Sequence, residues 1–212
     1  MPIDDDHIDD DLIHRRLFMR SGVAAFAAFV SGSVVQAAER AGSIEDIKGE
    51  GFAEAGMAQR ALALEAPVFI ADRVRTGTGS RLTLQLGRQT KVRLGESARI
   101  TIDRYLVERG GDLTLESGAV LFDRPAGAPP MPVQIRSSFG LIAVRGTRFF
   151  AGPSGNLFGV FVARGSVAVS GGGRQVILHA GEGTDIRYPG DPPTPPKRWG
   201  PPRIAAAMAS VA

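Results

Sequence analysis

The sequence predicts an all-β fold, either a compact β-sandwich or a short β-helix-like roll built from many short strands. Three observations carry this. From Ile44 to Tyr188 apolar and polar residues alternate over segments of four to seven residues, the period of a strand with one buried face. Gly, Ser, Asp or Pro separates the segments, and no stretch between residues 60 and 190 keeps a 3.6-residue period. Glycines at 77, 79, 87, 95, 110, 111 and 118 would break any helix placed among them.

Taken in chain order, Arg81-Leu82-Thr83-Leu84-Gln85-Leu86 puts three leucines on one side of a strand, because successive side chains point to opposite faces. Val92 and Leu94 repeat the pattern beside Lys91 and Arg93, Ile100 and Ile102 repeat it between Arg99, Thr101 and Asp103, and Leu113 and Leu115 follow. Leu157 to Val162 is apolar without alternation, which predicts a central strand covered on both sides. Gly118, Gly146, Gly165 and Gly181 each sit inside or just after a strand-like segment at irregular spacing. They fit positive-φ corners better than a strict solenoid period.

The chain has 212 residues and no cysteine. About 175 residues follow Ala37, one ordinary domain by length, and a chain of that size buries roughly 70% of its unfolded surface without needing a disulfide or a metal. The first 37 residues hold six Asp and three Arg, which leaves 22 basic against 16 acidic residues in the remainder. So mild an excess favours anionic partners without naming one.

Residues 1–37 predict an export signal. Arg15-Arg16-Leu17-Phe18-Met19-Arg20 pairs two arginines with Phe18 two positions on, and Ser21 to Ala38 is uncharged and rich in Ala, Gly and Val. This resembles a twin-arginine signal, with cleavage expected after Ala37. The alternative is an uncleaved anchor, since 18 uncharged residues are just long enough for a bilayer core of roughly 30 Å; only in that case would the protein touch a membrane. The expected location is the periplasm, which makes nucleic acid an unexpected partner.

At the other end, the proline-rich run from Pro189 to Pro202 predicts an extended polyproline linker. Residues 189–212 are expected to form a disordered tail. Ile204 to Ala212 is long enough for only two helical turns, marginal in isolation, and Trp199 beside Lys197-Arg198 is the feature that argues for docking.

Residues 44–188 resemble the FecR domain. The resemblance rests on Arg75-Thr76-Gly77 with Gly79-Ser80, on Leu115-Glu116-Ser117-Gly118, and above all on Val144-Arg145-Gly146-Thr147-Arg148-Phe149, before a last hairpin ending in HAGEGTDI. It implies a periplasmic β-rich module which, in its best-known members, senses an outer-membrane receptor and relays its state to a cytoplasmic sigma-factor partner. Those members carry a sigma-regulating domain ahead of their membrane helix, and Met1 to Arg20 is too short to fold as one. The expectation is therefore a free-standing sensing or binding module. Within the motif, Gly146 permits a tight corner and the Thr147 hydroxyl can satisfy backbone. Arg145 reads as structural, the alternative being bidentate binding of a carboxylate or phosphate.

Catalysis is not expected. His179 is the only histidine after residue 37, so Cys/His metal clusters cannot be assembled and no cofactor is expected. His179 alternates with Leu178 as an exposed strand residue would, and no G-x-S-x-G elbow occurs. Gly77-Thr78-Gly79 and Gly171-Gly172-Gly173 lack the helix and lysine of a phosphate loop. A carboxylate pair such as Glu182 and Asp185 stays open at this stage. Between Asp72 and Arg109 there are nine basic and four acidic residues. Arg81, Lys91, Arg93 and Arg99 fall on polar strand faces, so neighbouring strands would join them into a stripe for an anionic envelope glycan or carboxylate ligand. The plainer alternative is a solubilising face. The expected partner is an envelope protein or an anionic ligand, and the second reading is a structural or glycan-binding envelope protein.

Overall fold

The alternating segments become strands, and their connections set the shape. The computed structural model describes residues 38–106, 110–129 and 131–212, which fall within one unit, Ala37–Ala212. Its strands are β1 (Arg40–Lys48), β2 (Gly51–Ala55), β3 (Ala58–Ala61), β4 (Pro67–Phe69), β5 (Arg73–Thr76), β6 (Arg81–Leu86), β7 (Thr90–Leu94) and β8 (Arg99–Leu106). They continue as β9 (Gly110–Ser117), β10 (Val120–Asp123), β11 (Val133–Ser137), β12 (Gly140–Ser154), β13 (Leu157–Gly171), β14 (Arg174–His179), β15 (Glu182–Ile186) and β16 (Lys197–Arg198). One helix, α1 (Pro201–Ala209), follows. The fold is all-β, as expected, in the form of one open mixed sheet.

Two arms of this sheet meet at β12. One runs β3-β2-β5-β8-β9-β11-β12 and the other β12-β10-β7-β6-β1-β4, with β13 pairing β12, β14 and β15 off this path. Only β9 and β11 run parallel among the described pairs. The first half of β12 pairs β11 from Val144↔Val133 to Gly140↔Ser137. Its second half pairs β10 from Arg148↔Asp123 to Ala151↔Val120. The change of partner falls at Gly146-Thr147, where the ladder to β13 slips between Arg145 and Arg148. Gly146 has φ 61° and Gly165 on β13 has φ 82°, so a bulge with left-handed backbone bends both long strands at one place.

The bend brings both arms onto one core. Ile44, Leu82, Leu84, Leu86, Val92 and Leu94 from one arm lie in the same buried cluster as Val74, Ile100, Ile102, Leu113 and Leu115 from the other. The alternation read from the sequence is therefore the inner face of a folded sheet. At its far ends Arg60 on β3 donates to the Pro67 carbonyl at 2.8 Å and to the Asp72 carboxylate, which also accepts Phe69 N–H at 2.8 Å.

The expected central strand is present: Phe158 to Val162 are all buried. Val160 and Val162 face the main core, while Phe161 faces the opposite side, in a second cluster with Leu121, Phe150, Trp199, Ala207 and Val211.

That second cluster overturns the disordered tail. Thr194 N–H bonds the Asp185 carbonyl at 3.0 Å and Thr184 Oγ1 donates to the Thr194 carbonyl at 2.6 Å. β16 then pairs β15, and α1 lies on the outer face of the sheet. The prolines that argued for a linker begin the helix instead, since Pro201 and Pro202 occupy its first positions after Gly200, where a fixed φ and a missing N–H cost nothing. Ile204, Ala207, Met208 and Val211 then face the sheet at helical spacing.

Candidate functional site

Four places bear on function: the bent motif, the basic residues, the C-terminal clasp and a cleft at the loop end of the sheet. In the motif, Val144 is buried in the core and Gly146 makes the corner. Thr147 is fully buried, but its hydroxyl finds no partner, unlike the backbone-satisfying role expected for it. A Cβ on Gly165 would lie 2.6 Å from the Thr147 methyl group, so Gly165 is fixed by packing, whereas Gly146 has open space beside it and is favoured by its left-handed φ of 61°. The Arg145 side chain lies outside the described residues. Beside the corner, Asp123 receives Arg164 at 2.8 Å and Arg148 at 3.7 Å. The buried Arg124 donates to Thr90 Oγ1 at 3.0 Å and to the Pro129 carbonyl at 2.8 Å. These contacts make the motif a joint of the sheet.

The four basic residues do not form one stripe. Arg81, Lys91 and Arg93 share the outer face of β6 and β7, with Thr83 opposite Arg93 and Gln85 opposite Lys91. Arg99 lies on the other arm, opposite Ser117 on β9 and Arg75 on β5. Lys91 is paired with Glu45. Arg81 Nη2 donates to the Ala209 carbonyl at 3.3 Å, placing a cation at the C-terminus of α1, whose last turn has none of its own. Of these four, Arg93 and Arg99 make no side-chain hydrogen bond or ion pair within the described residues, and they stand on different arms.

The clasp is built around Trp199, 6% exposed. Its ring lies 5.2 Å from Phe161 and 6.4 Å from Phe150, centroid to centroid. A Cβ on Gly183 would lie 2.3 Å from the indole Nε1 and one on Gly159 2.8 Å from its Cη2, so two glycines leave the slot that the indole fills. Arg203 covers its outer side and donates to Ser154 Oγ at 2.9 Å and to both Asp185 oxygens. Lys197 adds a contact to Asp185 at 2.7 Å. Burial raises the Asp185 pKa, but the hydrogen bonds and charges of Arg203 and Lys197 outweigh it and hold the carboxyl below its ordinary value of 3.8. Of the two carboxylates the sequence left open, Asp185 anchors the clasp, and Glu182 accepts the His179 N–H at 2.8 Å.

The cleft is the feature that sequence reasoning missed. Three connections gather there: β9–β10 at Gly118, just after Ser117, β11–β12 at Ser138-Phe139, and the two-residue β12–β13 turn Gly155-Asn156. They enclose about 250 Å³. Phe139 and Phe158 stack at its floor, centroids 4.4 Å apart and 5° from parallel. Arg187, just after β15, reaches the rim. Loops gathered at one end of a rigid sheet are where such folds carry binding residues. His179 is an exposed strand residue as expected, and no group of three His, Cys, Asp or Glu able to hold a metal occurs among the described residues. Arg15, Arg16, Phe18 and Ala37 lie outside the described residues. Within the described residues, no helix is long and apolar enough to cross a membrane.

Fold and cleft together define an all-β module with an apolar-floored depression at its loop end. A family model described as FecR protein matches residues 72–168, from the residue before β5 through most of β13. Two crystal structures of a candidate anti-sigma factor from Parabacteroides distasonis ATCC 8503, at 1.65 and 2.50 Å resolution, are similar in fold. Each has a TM-score of 0.54 at 16% identity over 64% of this chain, and the chain spans 64% and 63% of their lengths. No curated protein matches the chain.

Proposed function

We propose that this protein is a periplasmic sensing and binding module of FecR type, exported by a twin-arginine signal, which recognises an envelope protein or ligand without catalysis and acts in signal transduction. The match to the FecR protein family over residues 72–168 carries this reading. The fold likeness to a candidate anti-sigma factor supports the regulatory part, and the loop-end cleft supplies a surface for recognition. The glycan-binding alternative relied on a continuous basic stripe, and the separation of Arg99 from Arg81, Lys91 and Arg93 removes that support.

Transcript profiling of the native host, with the gene deleted and then restored, tests the signalling role. A confined set of genes should change on deletion and recover on restoration. An unchanged profile under envelope stress and in unstressed growth would count against it.

A further inference from the structure

The charge and shape of the loop-end cleft point to one kind of occupant, an inference that rests on the binding-module reading above. Its floor is apolar, with Leu115 and Leu157 flanking the stacked Phe139 and Phe158. Two charged side chains line it. Glu116 is already neutralised, because its Oε1 accepts Arg73 Nε at 2.9 Å and Thr101 Oγ1 at 2.7 Å. Arg187 is exposed and has no hydrogen bond or ion pair within the described residues. Ser138 and Asn156 at the rim likewise make no side-chain hydrogen bond there. The cleft thus offers a hydrophobic seat, two free polar groups and one uncompensated guanidinium, whose planar fork suits a carboxylate.

The surroundings decide between a free small ligand and the end of a chain. A small ligand usually buries about 70–90% of its surface in its pocket. This cleft instead runs on: Gly118 and Pro153 also border a second depression of about 430 Å³ beside Thr78, Glu96 and Ser97. A polypeptide whose last residue fills the first depression gains further contact along the second.

We propose that the cleft receives the C-terminal residue of a partner polypeptide, its apolar side chain on Phe139 and Phe158, its free carboxylate on Arg187, and its preceding residues running past Pro153.

The test uses the full chain and a fluorescein-labelled peptide of sequence Gly-Ser-Gly-Ser-Phe, carrying either a free C-terminal carboxylate or an amide, followed by fluorescence anisotropy. The free acid should bind about tenfold more tightly than the amide, the ratio that one charge-assisted contact supports. Arg187→Glu should abolish that preference and Arg187→Lys should retain part of it. Arg187 is exposed and unpaired, so both variants should melt as the wild type does, which separates lost binding from lost fold. Equal binding of acid and amide, an Arg187→Glu variant that keeps the preference, or no binding of either peptide would overturn the proposal. So would phenylacetate competing as tightly as the peptide, which would assign the cleft to small ligands. None of these outcomes touches the transcript test, and an unchanged transcript profile with intact peptide binding would remove the signalling role alone.

Discussion

The Arg203 guanidinium lies 3.7 Å from the centre of the Trp199 ring while holding the buried Asp185 carboxylate. One arginine therefore ties the C-terminal helix, the indole and strand β15 into a single clasp. Ser154, which Arg203 also reaches, ends β12 beside the Gly155-Asn156 turn of the cleft. The tail and the loop-end cleft thus share a hairpin.

Removing the indole should release the tail. Trp199→Ala is expected to cost about 3–5 kcal/mol, and Gly183→Ala, whose new Cβ would collide with the indole and the Val160 carbonyl, about 1–3 kcal/mol. Limited proteolysis should cut within residues 189–212 in both variants before it cuts the wild type. In the Gly183→Ala variant the single tryptophan should shift its emission to the red. A tail as resistant as the wild type's would contradict the clasp.

Acid should loosen the same contact. The Asp185 pKa is depressed in the folded state, so its contribution is fully present above the unfolded value near 3.8 and is lost as pH falls through the folded value. Asp185→Asn should be less stable than the wild type at pH 7 by about 2 kcal/mol, the order of a charged hydrogen bond. Denaturant titrations should show that gap closing below about pH 4; a gap that widens in acid would reverse the sign argued here.

Thr147→Val is expected to leave stability within about 1 kcal/mol of the wild type or to raise it. The buried hydroxyl has no partner, so an isosteric methyl group removes an unmet polar atom and loses no bond. A loss above about 2 kcal/mol would reveal a hydrogen bond at this joint.

Replacing Arg15 and Arg16 with Lys should block export, leaving the protein in the cytoplasmic fraction. Its intact mass in the wild type should correspond to a chain beginning at Ala38. Normal export of the double variant would sink the twin-arginine assignment.

The folded sheet was legible because period-two alternation in Arg81–Leu86, Thr90–Leu94 and Arg99–Ile102 states which face is buried, whatever the strand order. Strand order was not legible, and with it went the basic stripe: Arg99 alternates like Arg93, but the corner at Gly146-Thr147 sends their strands to different arms. The tail was misread because local signals competed. Proline opposes helix in the interior but favours it at the first positions, and the spacing of Ile204, Ala207, Met208 and Val211 was the readable sign of a docked helix. The indole slot needed Gly159 and Gly183 beside Trp199, a meeting that sequence separation hides. The cleft is built from three turns far apart in the chain, so no motif announced it.

Recognition at that cleft is the centre of the account, and cross-linking in the living host tests it most directly. A photoreactive residue replacing Ser138 at the rim should give a discrete adduct with one envelope protein, weakened by Arg187→Glu. The same group replacing Met57, fully exposed at the β2–β3 turn, should give none. Equal labelling from both positions, or an adduct from Met57 alone, would contradict it.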